Sequence, residues 1–307
     1  MICDNVLQAI GNTPIIRLNR LTGEQDAEVL VKFEAVNIGG SIKTRTAYNM
    51  ILAAEQQGQI DADTIIVEPT SGNQGVGLAL VGAVRGYQVV IVMPDSVSLE
   101  RRKLIEQYGA KVVLVKDNGD IGECIANCLA TALQMAADNP HVYIPQQFVN
   151  PYNPLVHKNN TAVEILQQVN KPIHGFCSGI GTGGTISGVG EVLKEHDPEI
   201  TIWAVEPEKA AILSGGIISS HLQMGIGDGF IPENLNTQIY DEIFVVSDEL
   251  ALTTAKALAR EEGLICGISS GTNVAAALAL ARKLGKGKTV VTILPDTGER
   301  YFSTPLF

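Results

Sequence analysis

The sequence predicts an α/β protein with two open, three-layer α/β domains and mostly parallel sheets. Short segments that are apolar throughout, such as residues 88–93 and 289–294, alternate with longer segments of helical pattern. Strands without a polar face are typical of parallel sheets that helices cover on both sides. The length of 307 residues suffices for two domains of ordinary size or for one large α/β unit.

The order of the predicted elements supports this architecture. Apolar and β-branched runs predict strands at residues 29–33, 64–67, 88–93, 111–115, 142–145, 175–177, 201–205 and 289–294. Helical periodicity predicts helices at about residues 42–58, 76–85, 98–108, 121–137, 161–169, 186–196, 249–262 and 270–284. The Pro- and Asn-rich segment 150–154 is the predicted boundary between domains 1–150 and 151–307. A strand within about residues 12–36 is expected to cross to the second domain.

Composition narrows the classes of function. The net charge is −11 with no compensating basic stripe, which argues against a nucleic-acid partner. No apolar run approaches the length of a membrane span, and the N-terminus lacks the pattern of a signal peptide. The five scattered cysteines are expected to be reduced thiols, since Cys124 and Cys128 have no nearby histidine pair with which to bind a metal. We therefore expect a cytoplasmic protein without a metal site.

A lysine after a glycine turn is the first candidate for chemistry. Gly39 and Gly40 allow a sharp turn after a strand, and Ser41 can cap the helix that follows. Lys43 then lies in the first helical turn, where the positive end of the helix dipole favours a neutral, nucleophilic amine. The alternative is an ordinary solvated lysine.

Three loops that lead into helices carry polar or glycine-rich sequences. Residues 70–75 offer amides and hydroxyls suited to a carboxylate, although an ordinary capped turn is the alternative. Residues 181–185 (GTGGT) suit a phosphate, and a dinucleotide-binding loop is the competing interpretation because residues 179–184 loosely match GxGxxG. Residues 267–271 place serines at a helix start. Together with Lys43, these loops match the needs of pyridoxal phosphate and an amino acid.

Seven short segments of the chain resemble those of a known family. The matching segments are residues 10–14 (IGNTP), 40–43 (GSIK), 68–73 (EPTSGN), 181–185 (GTGGT), 225–227 (GIG), 267–271 (GISSG) and 298–301 (GERY). They resemble, in the same order and over nearly the whole chain, the cysteine synthase (O-acetylserine sulfhydrylase) and cystathionine β-synthase family of pyridoxal-phosphate enzymes. The resemblance implies a fold like that of the tryptophan synthase β-subunit.

The resemblance also implies roles for individual residues. Lys43 would form the Schiff base with pyridoxal phosphate, and Asn73 would bind the ring hydroxyl. Ser269 would face the pyridine nitrogen, with Ser270 as the alternative. The phosphate would be held by Gly181, Thr182, Gly183, Gly184 and Thr185. The positions that resemble the substrate-carboxylate site are Thr70, Ser71, Gln74 and Gln147.

The implied activity is a β-replacement on an amino acid. O-acetyl-L-serine would lose acetate through an aminoacrylate intermediate, and sulfide would add to give L-cysteine. The family also implies a homodimer, and some members bind the C-terminus of serine acetyltransferase.

Four residues depart from the family pattern and leave the substrate open. Gln74 replaces a threonine, Ile38 replaces a proline, and Ala162 and Val163 stand where Gly-Pro is usual. Asp228 stands where a small residue is common in sulfide-using members. As a general base it would favour serine- or cysteine-using reactions, such as cystathionine synthesis or the conversion of cysteine and water to serine and hydrogen sulfide. The alternative is a structural aspartate.

Overall fold

The computed structural model describes residues 2–119, 121–216 and 218–307. Within these residues the strands are β1 (Ile15–Arg17), β2 (Glu28–Phe33), β3 (Ile65–Pro69), β4 (Gln88–Pro94), β5 (Lys111–Val115), β6 (Val142–Tyr143), β7 (Gly175–Gly179), β8 (Thr201–Pro207), β9 (Glu242–Val246) and β10 (Thr289–Leu294). The α-helices are α1 (Lys43–Gln56), α2 (Asn73–Arg85), α3 (Leu99–Gln107), α4 (Ile121–Asp138), α5 (Tyr152–Val156), α6 (Ala162–Val169), α7 (Gly184–His196), α8 (Asp248–Glu262) and α9 (Ile268–Leu284).

These strands form two sheets. One has the order β1-β2-β10-β7-β8-β9 and the other has the order β5-β4-β3-β6. β1 and β2 are antiparallel, whereas the other paired strands of the described chain are parallel. The predicted α/β class with mostly parallel sheets is therefore confirmed.

Both faces of each sheet are buried under helices. Along β4, Val89, Ile91 and Met93 belong to one apolar cluster, and Val90 and Val92 belong to another. Successive side chains of a strand point to opposite faces, so this alternation places a core on each side of the four-stranded sheet. The six-stranded sheet also separates two clusters. Apolar strands with no polar face follow from this double burial.

The N-terminal strands lie in the larger sheet. β2 runs parallel to β10, and the two strands pair from Glu28 with Thr289 to Phe33 with Leu294. β3 to β6 form the other sheet, before residue 150. We propose domains 1–150 and 151–307 on this basis, with β1 and β2 contributed by the first segment to the second sheet.

The segment predicted as a domain boundary leads into a short helix. Pro151 precedes α5, and a π-helical turn, His157–Thr161, joins α5 to α6. Proline has its φ angle preset near the helical value, so it can open a helix although it disrupts a helix interior. Asn153 of α5 is buried and donates from Nδ2 to the backbone oxygen of Gln147 at 2.7 Å. Asn153 thus fixes the segment to the loop before it, while Pro151 remains exposed.

A buried ion cluster fixes α1 to the elements around it. Arg45 lies 2.8 Å from Glu34 and 2.7 Å from Glu164 of α6. Lys32 of β2 lies 2.7 Å from the other oxygen of Glu164. The two cations and two anions balance, which is the condition under which buried charges are tolerated. The cluster holds the first turn of α1, with Lys43, against the six-stranded sheet.

Within the described residues, no helix combines the length and apolar content needed to cross a membrane. Over the same residues, no three His, Cys, Asp or Glu side chains come close enough together to hold a metal ion.

Candidate active site

Loops at the carboxyl ends of strands from both sheets line one cleft. Open α/β sheets bind ligands at these strand ends. The predicted site residues that line the cleft are Lys43, Thr70, Ser71, Asn73, Gln74, Gln147, Gly181, Thr182, Gly183, Thr185, Asp228 and Ser269. Gly184 begins α7 and packs against α5, where an added Cβ would lie 2.1 Å from Asn153 Oδ1. Gly184 is therefore placed beside the cleft rather than on its wall.

Lys43 is partly buried in the cleft at the first position of α1. Burial lowers the pKa of its amine, while the carboxylates of Asp228 and Asp296 oppose the change. The direction of this pKa shift agrees with the sequence-based expectation, and desolvation in the cleft is its main cause. Ser41 Oγ accepts from the backbone N–H of Lys43 at 3.3 Å. The lowered pKa favours a neutral amine, the form that can act as a nucleophile or accept a proton.

The loop after β3 has a conformation that requires glycine. Gly72 has a φ angle of 149°, and an added Cβ would lie 2.2 Å from Cδ of Arg101. Its backbone N–H donates to Thr70 Oγ1 at 3.2 Å. The helix α2 begins at Asn73, three residues before the apolar periodicity, so Asn73 and Gln74 lie in its first turn.

Gln74 presents an unpaired donor to the cleft wall. Its Oε1 accepts from Thr46 Oγ1 at 2.7 Å, whereas its Nε2 is buried without a hydrogen-bond partner in the described residues. A buried donor without a partner carries a desolvation cost that a ligand can relieve. This geometry makes Gln74 suited to an anionic or carbonyl oxygen.

Glu68 supports the neighbouring loop and was not predicted. Its carboxylate accepts the backbone N–H groups of Gln146 and Gln147, each at 2.8 Å. Burial raises the pKa of Glu68 to about 7, although these two hydrogen bonds oppose the change. An acidic residue inside an otherwise apolar strand was the available signal.

The glycine-rich loop before α7 leaves room for a phosphate. A Cβ added at Gly181 would lie 2.4 Å from the backbone oxygen of Gly225. A Cβ added at Gly183 would lie 2.7 Å from Leu235 Cβ. Because side chains are excluded there, the loop can bring its backbone amides close to an anion at the helix N-terminus. Thr182 and Thr185 add hydroxyl groups on the cleft wall. These residues fit the phosphate group of a cofactor.

Ser269 lies in the first turn of α9, which starts two residues earlier than the predicted helix. It is 4% exposed and lines the cleft with a neutral hydroxyl group. Asp228 is partly buried on the same cleft. Burial raises the pKa of Asp228, and the charges of Lys43 and His221 oppose the rise. Desolvation therefore shifts both Lys43 and Asp228 towards their neutral forms.

The cleft can be compared with known proteins. Residues 6–296 match the sequence profile of the pyridoxal-phosphate dependent enzymes. The chain belongs to this family. Its cofactor is pyridoxal phosphate, for which the lysine, the glycine-rich loop and the helix N-terminus of the cleft provide a fitting set of groups.

Individual relatives cover essentially the whole chain. A cysteine synthase of Staphylococcus aureus is 48% identical over 305 residues, which span 99% of this chain and 97% of that protein. The crystal structure of an O-ureido-L-serine synthase superposes with a TM-score of 0.94 at 42% identity, covering 100% of this chain and 96% of the other. A hydrogen sulfide-producing enzyme from Fusobacterium nucleatum superposes with a TM-score of 0.93 at 38% identity, covering 98% and 100%.

Proposed function

We propose that this enzyme forms L-cysteine and acetate from O-acetyl-L-serine and sulfide by pyridoxal-phosphate dependent β-replacement. The observation that carries the proposal is the near-complete match to a cysteine synthase at 48% identity. The convergence of Lys43, the loop after β3 and the glycine-rich loop on one cleft supports it.

The proposed chemistry centres on Lys43. When bound, pyridoxal phosphate supplies an electron sink for the charge that develops at the α-carbon of the substrate. The Lys43 amine would hold the aldehyde of the cofactor and, after displacement by the substrate, take the α-proton at Nζ. The lowered pKa of Lys43 supports this role because only the neutral amine can accept a proton.

The remaining predicted residues would bind and orient. Gly181 to Thr185 would hold the phosphate, and Asn73 would hydrogen-bond the ring oxygen. Ser269 would meet the ring nitrogen with a neutral hydroxyl group, which leaves that nitrogen unprotonated and favours β-elimination over transamination. Four residues would bind the substrate carboxylate, namely Thr70, Ser71, Gln74 and Gln147. The free Nε2 of Gln74 supports its place in that group.

The direct test is to supply the cofactor-loaded protein with O-acetyl-L-serine and sulfide and to measure cysteine and acetate. We expect equal amounts of both products. A Lys43→Ala variant, which keeps the rest of the cleft, is expected to form neither. Wild-type protein that binds the cofactor but yields no cysteine would contradict the proposal.

A second activity is favoured by Asp228. A partly buried carboxyl group with a raised pKa beside the reactive lysine can exchange a proton with water, a thiol or a leaving group. It would support sulfide release from cysteine with serine as product, or cystathionine-type β-replacement. The hydrogen sulfide-producing structural relative is consistent with this second activity.

The two activities are separated by incubating the enzyme with cysteine alone and measuring sulfide and serine. If Asp228 is the base, Asp228→Asn should lose this reaction while retaining cysteine synthesis. An Asp228→Asn variant that still releases sulfide at the wild-type rate would refute the role.

We also propose that the enzyme is a cytoplasmic homodimer that can bind the C-terminal peptide of serine acetyltransferase. The five free cysteines support a reducing compartment. Size-exclusion chromatography with light scattering tests the dimer, and calorimetric titration with that peptide tests the partner. A monomer or an absence of binding heat would overturn the respective proposal.

A further inference from the structure

The segment that follows β10 joins the loops on either side of the cleft. The backbone oxygen of Pro295 accepts from Ile42 N at 2.8 Å, next to Lys43. The backbone oxygen of Asp296 accepts from Gly267 N at 3.1 Å, two residues before Ser269. The segment 295–301 therefore contacts the start of α1 and the start of α9, and it contains the GERY motif that has no assigned role.

Side chains of the same segment hold both ends of the Asn73 amide. Asp296 is fully buried, and its Oδ2 accepts from Asn73 Nδ2 at 2.7 Å. Arg300 donates from Nη1 to Asn73 Oδ1 and from Nη2 to the backbone oxygen of Gly39. The Asn73 amide thus donates to one residue of the segment, Asp296, and accepts from another, Arg300.

These partners permit one orientation of the amide. A carboxylate only accepts and a guanidinium only donates, so a flipped Asn73 would oppose like groups at both ends. Nδ2 carries two hydrogens, and Asp296 uses one of them. Because Asn73 lines the cleft, the second hydrogen is the one available to a ligand.

The surroundings keep Asp296 in place. Tyr301 donates its hydroxyl group to Asp296 Oδ2 at 2.7 Å. Arg101 Nη2 lies 3.7 Å from the same oxygen. An added Cβ at Gly267 would lie 2.1 Å from Asp296 Oδ1, so glycine makes room for the carboxylate. The guanidinium group of Arg101 provides an opposite charge for this buried carboxylate.

We propose that Asp296 and Arg300 are positioning residues that orient the Asn73 amide so that its free N–H faces the ring oxygen of pyridoxal phosphate. This inference rests on the proposed role of Asn73 in binding the cofactor. It assigns a role to the GERY motif, since the motif supplies Arg300 and, through Tyr301, the second donor to Asp296.

The test compares Asn73→Ala, Asp296→Ala, which removes the acceptor of the Asn73 amide, and the corresponding double variant. The measurements are the dissociation constant of pyridoxal phosphate and the visible absorption maximum of the bound cofactor. We expect each single variant to weaken binding roughly tenfold, the effect of one charge-assisted hydrogen bond, and to shift the maximum in the same direction. The double variant should be no weaker than Asn73→Ala, because the two residues act through one contact.

Glu299→Gln is the matched control. Glu299 belongs to the same motif, but it is exposed and accepts from Thr297 Oγ1 at 2.7 Å, so its substitution should leave the absorption maximum and the dissociation constant at wild-type values. Should Asp296→Ala not fold, Arg300→Lys keeps the charge but cannot serve both Asn73 Oδ1 and the Gly39 oxygen, and the same spectral shift is expected.

The outcomes distinguish the role of Asn73 in cofactor binding from the positioning role of Asp296 and Arg300. If Asn73→Ala leaves the absorption maximum and the dissociation constant unchanged, the assumed role of Asn73 fails, and the inference fails with it. If Asn73→Ala changes both but neither Asp296→Ala nor Arg300→Lys does, the positioning role alone is overturned. A shift of equal size in Glu299→Gln would also overturn it, since any change in the segment would then have the same effect.

Discussion

Substitution of Glu164 by glutamine tests the buried ion cluster that anchors α1. Glu164 accepts from Arg45 Nη1 at 2.7 Å and from Arg45 Nη2 at 2.8 Å, and it lies 2.7 Å from Lys32 Nζ. Its side chain is 11% exposed. Burial by itself would raise the pKa of Glu164, but the hydrogen bonds and charges of Arg45 and Lys32 outweigh burial and lower the pKa to about 2.

The shift in the pKa of Glu164 sets how much the substitution lowers the free energy of unfolding and how that loss depends on pH. A carboxyl pKa that falls from 4.5 to about 2 on folding contributes about 3.4 kcal/mol of stability when fully ionised. Because the folded pKa is the lower one, this contribution is present above pH 4.5 and is lost as the pH falls towards 2. Glu164→Gln should therefore lower the free energy of unfolding by about 3 kcal/mol at pH 7, in line with the removal of one partner from a buried pair.

The assay is urea unfolding of the cofactor-loaded protein, followed by the fluorescence of Trp203 at pH 7, 5, 4 and 3. The deficit of Glu164→Gln should be largest at pH 7 and should fall to less than about half that value at pH 3. Glu195→Gln is the control, because Glu195 pairs with Lys158 on the surface and should change stability by less than about 1 kcal/mol. A deficit that stays constant between pH 7 and pH 3, or one no larger than that of the control, would refute the reasoning.

Three further predictions concern the cleft. Lys43→Ala should abolish covalent retention of pyridoxal phosphate after borohydride treatment, as read by mass spectrometry, whereas the exposed Lys103→Ala should retain it. Gly181→Ala places a Cβ 2.4 Å from the Gly225 oxygen. It should weaken cofactor binding at least about tenfold in a fluorescence titration. Unchanged binding would show that the loop can move to accommodate the Cβ and would contradict the prediction. The Glu68 pKa of about 7 lies above its ordinary value of 4.5, so its contribution to stability is lost as the pH rises through 7. The unfolding free energy of the wild type relative to Glu68→Gln should accordingly fall by about 3 kcal/mol between pH 4.5 and 8, and a flat difference would disprove this.

The first residues of three helices were not predicted from the local sequence pattern. The predicted helices at 76–85, 186–196 and 270–284 begin two or three residues earlier in the structure, at Asn73, Gly184 and Ile268. Apolar periodicity marks only the part of a helix that packs on a core, whereas the first turn at a ligand site is polar and carries no such pattern. The sequence therefore locates these loops, but the predicted helix bounds leave out Asn73, Gln74 and Ser269, which lie in the first helical turns.

The sequence by itself determined the α/β class, the parallel sheets and most of the loops that line the cleft. These features follow from local rules, namely which side chains a doubly covered strand can carry and where glycine permits a turn. Most of the residues predicted to line the cleft belong to or adjoin short motifs, each contained in one loop.

Only the tertiary structure decided which charged residues are buried and what they touch. Asn73 and Asp296 are 223 positions apart, and Arg45 and Glu164 are 119 apart. A buried charge is tolerated only when its partners surround it, and those partners are brought together by folding rather than by sequence proximity. For the same reason the lowered pKa of Lys43 depends chiefly on burial in the assembled cleft, and no local pattern around residue 43 contains that information.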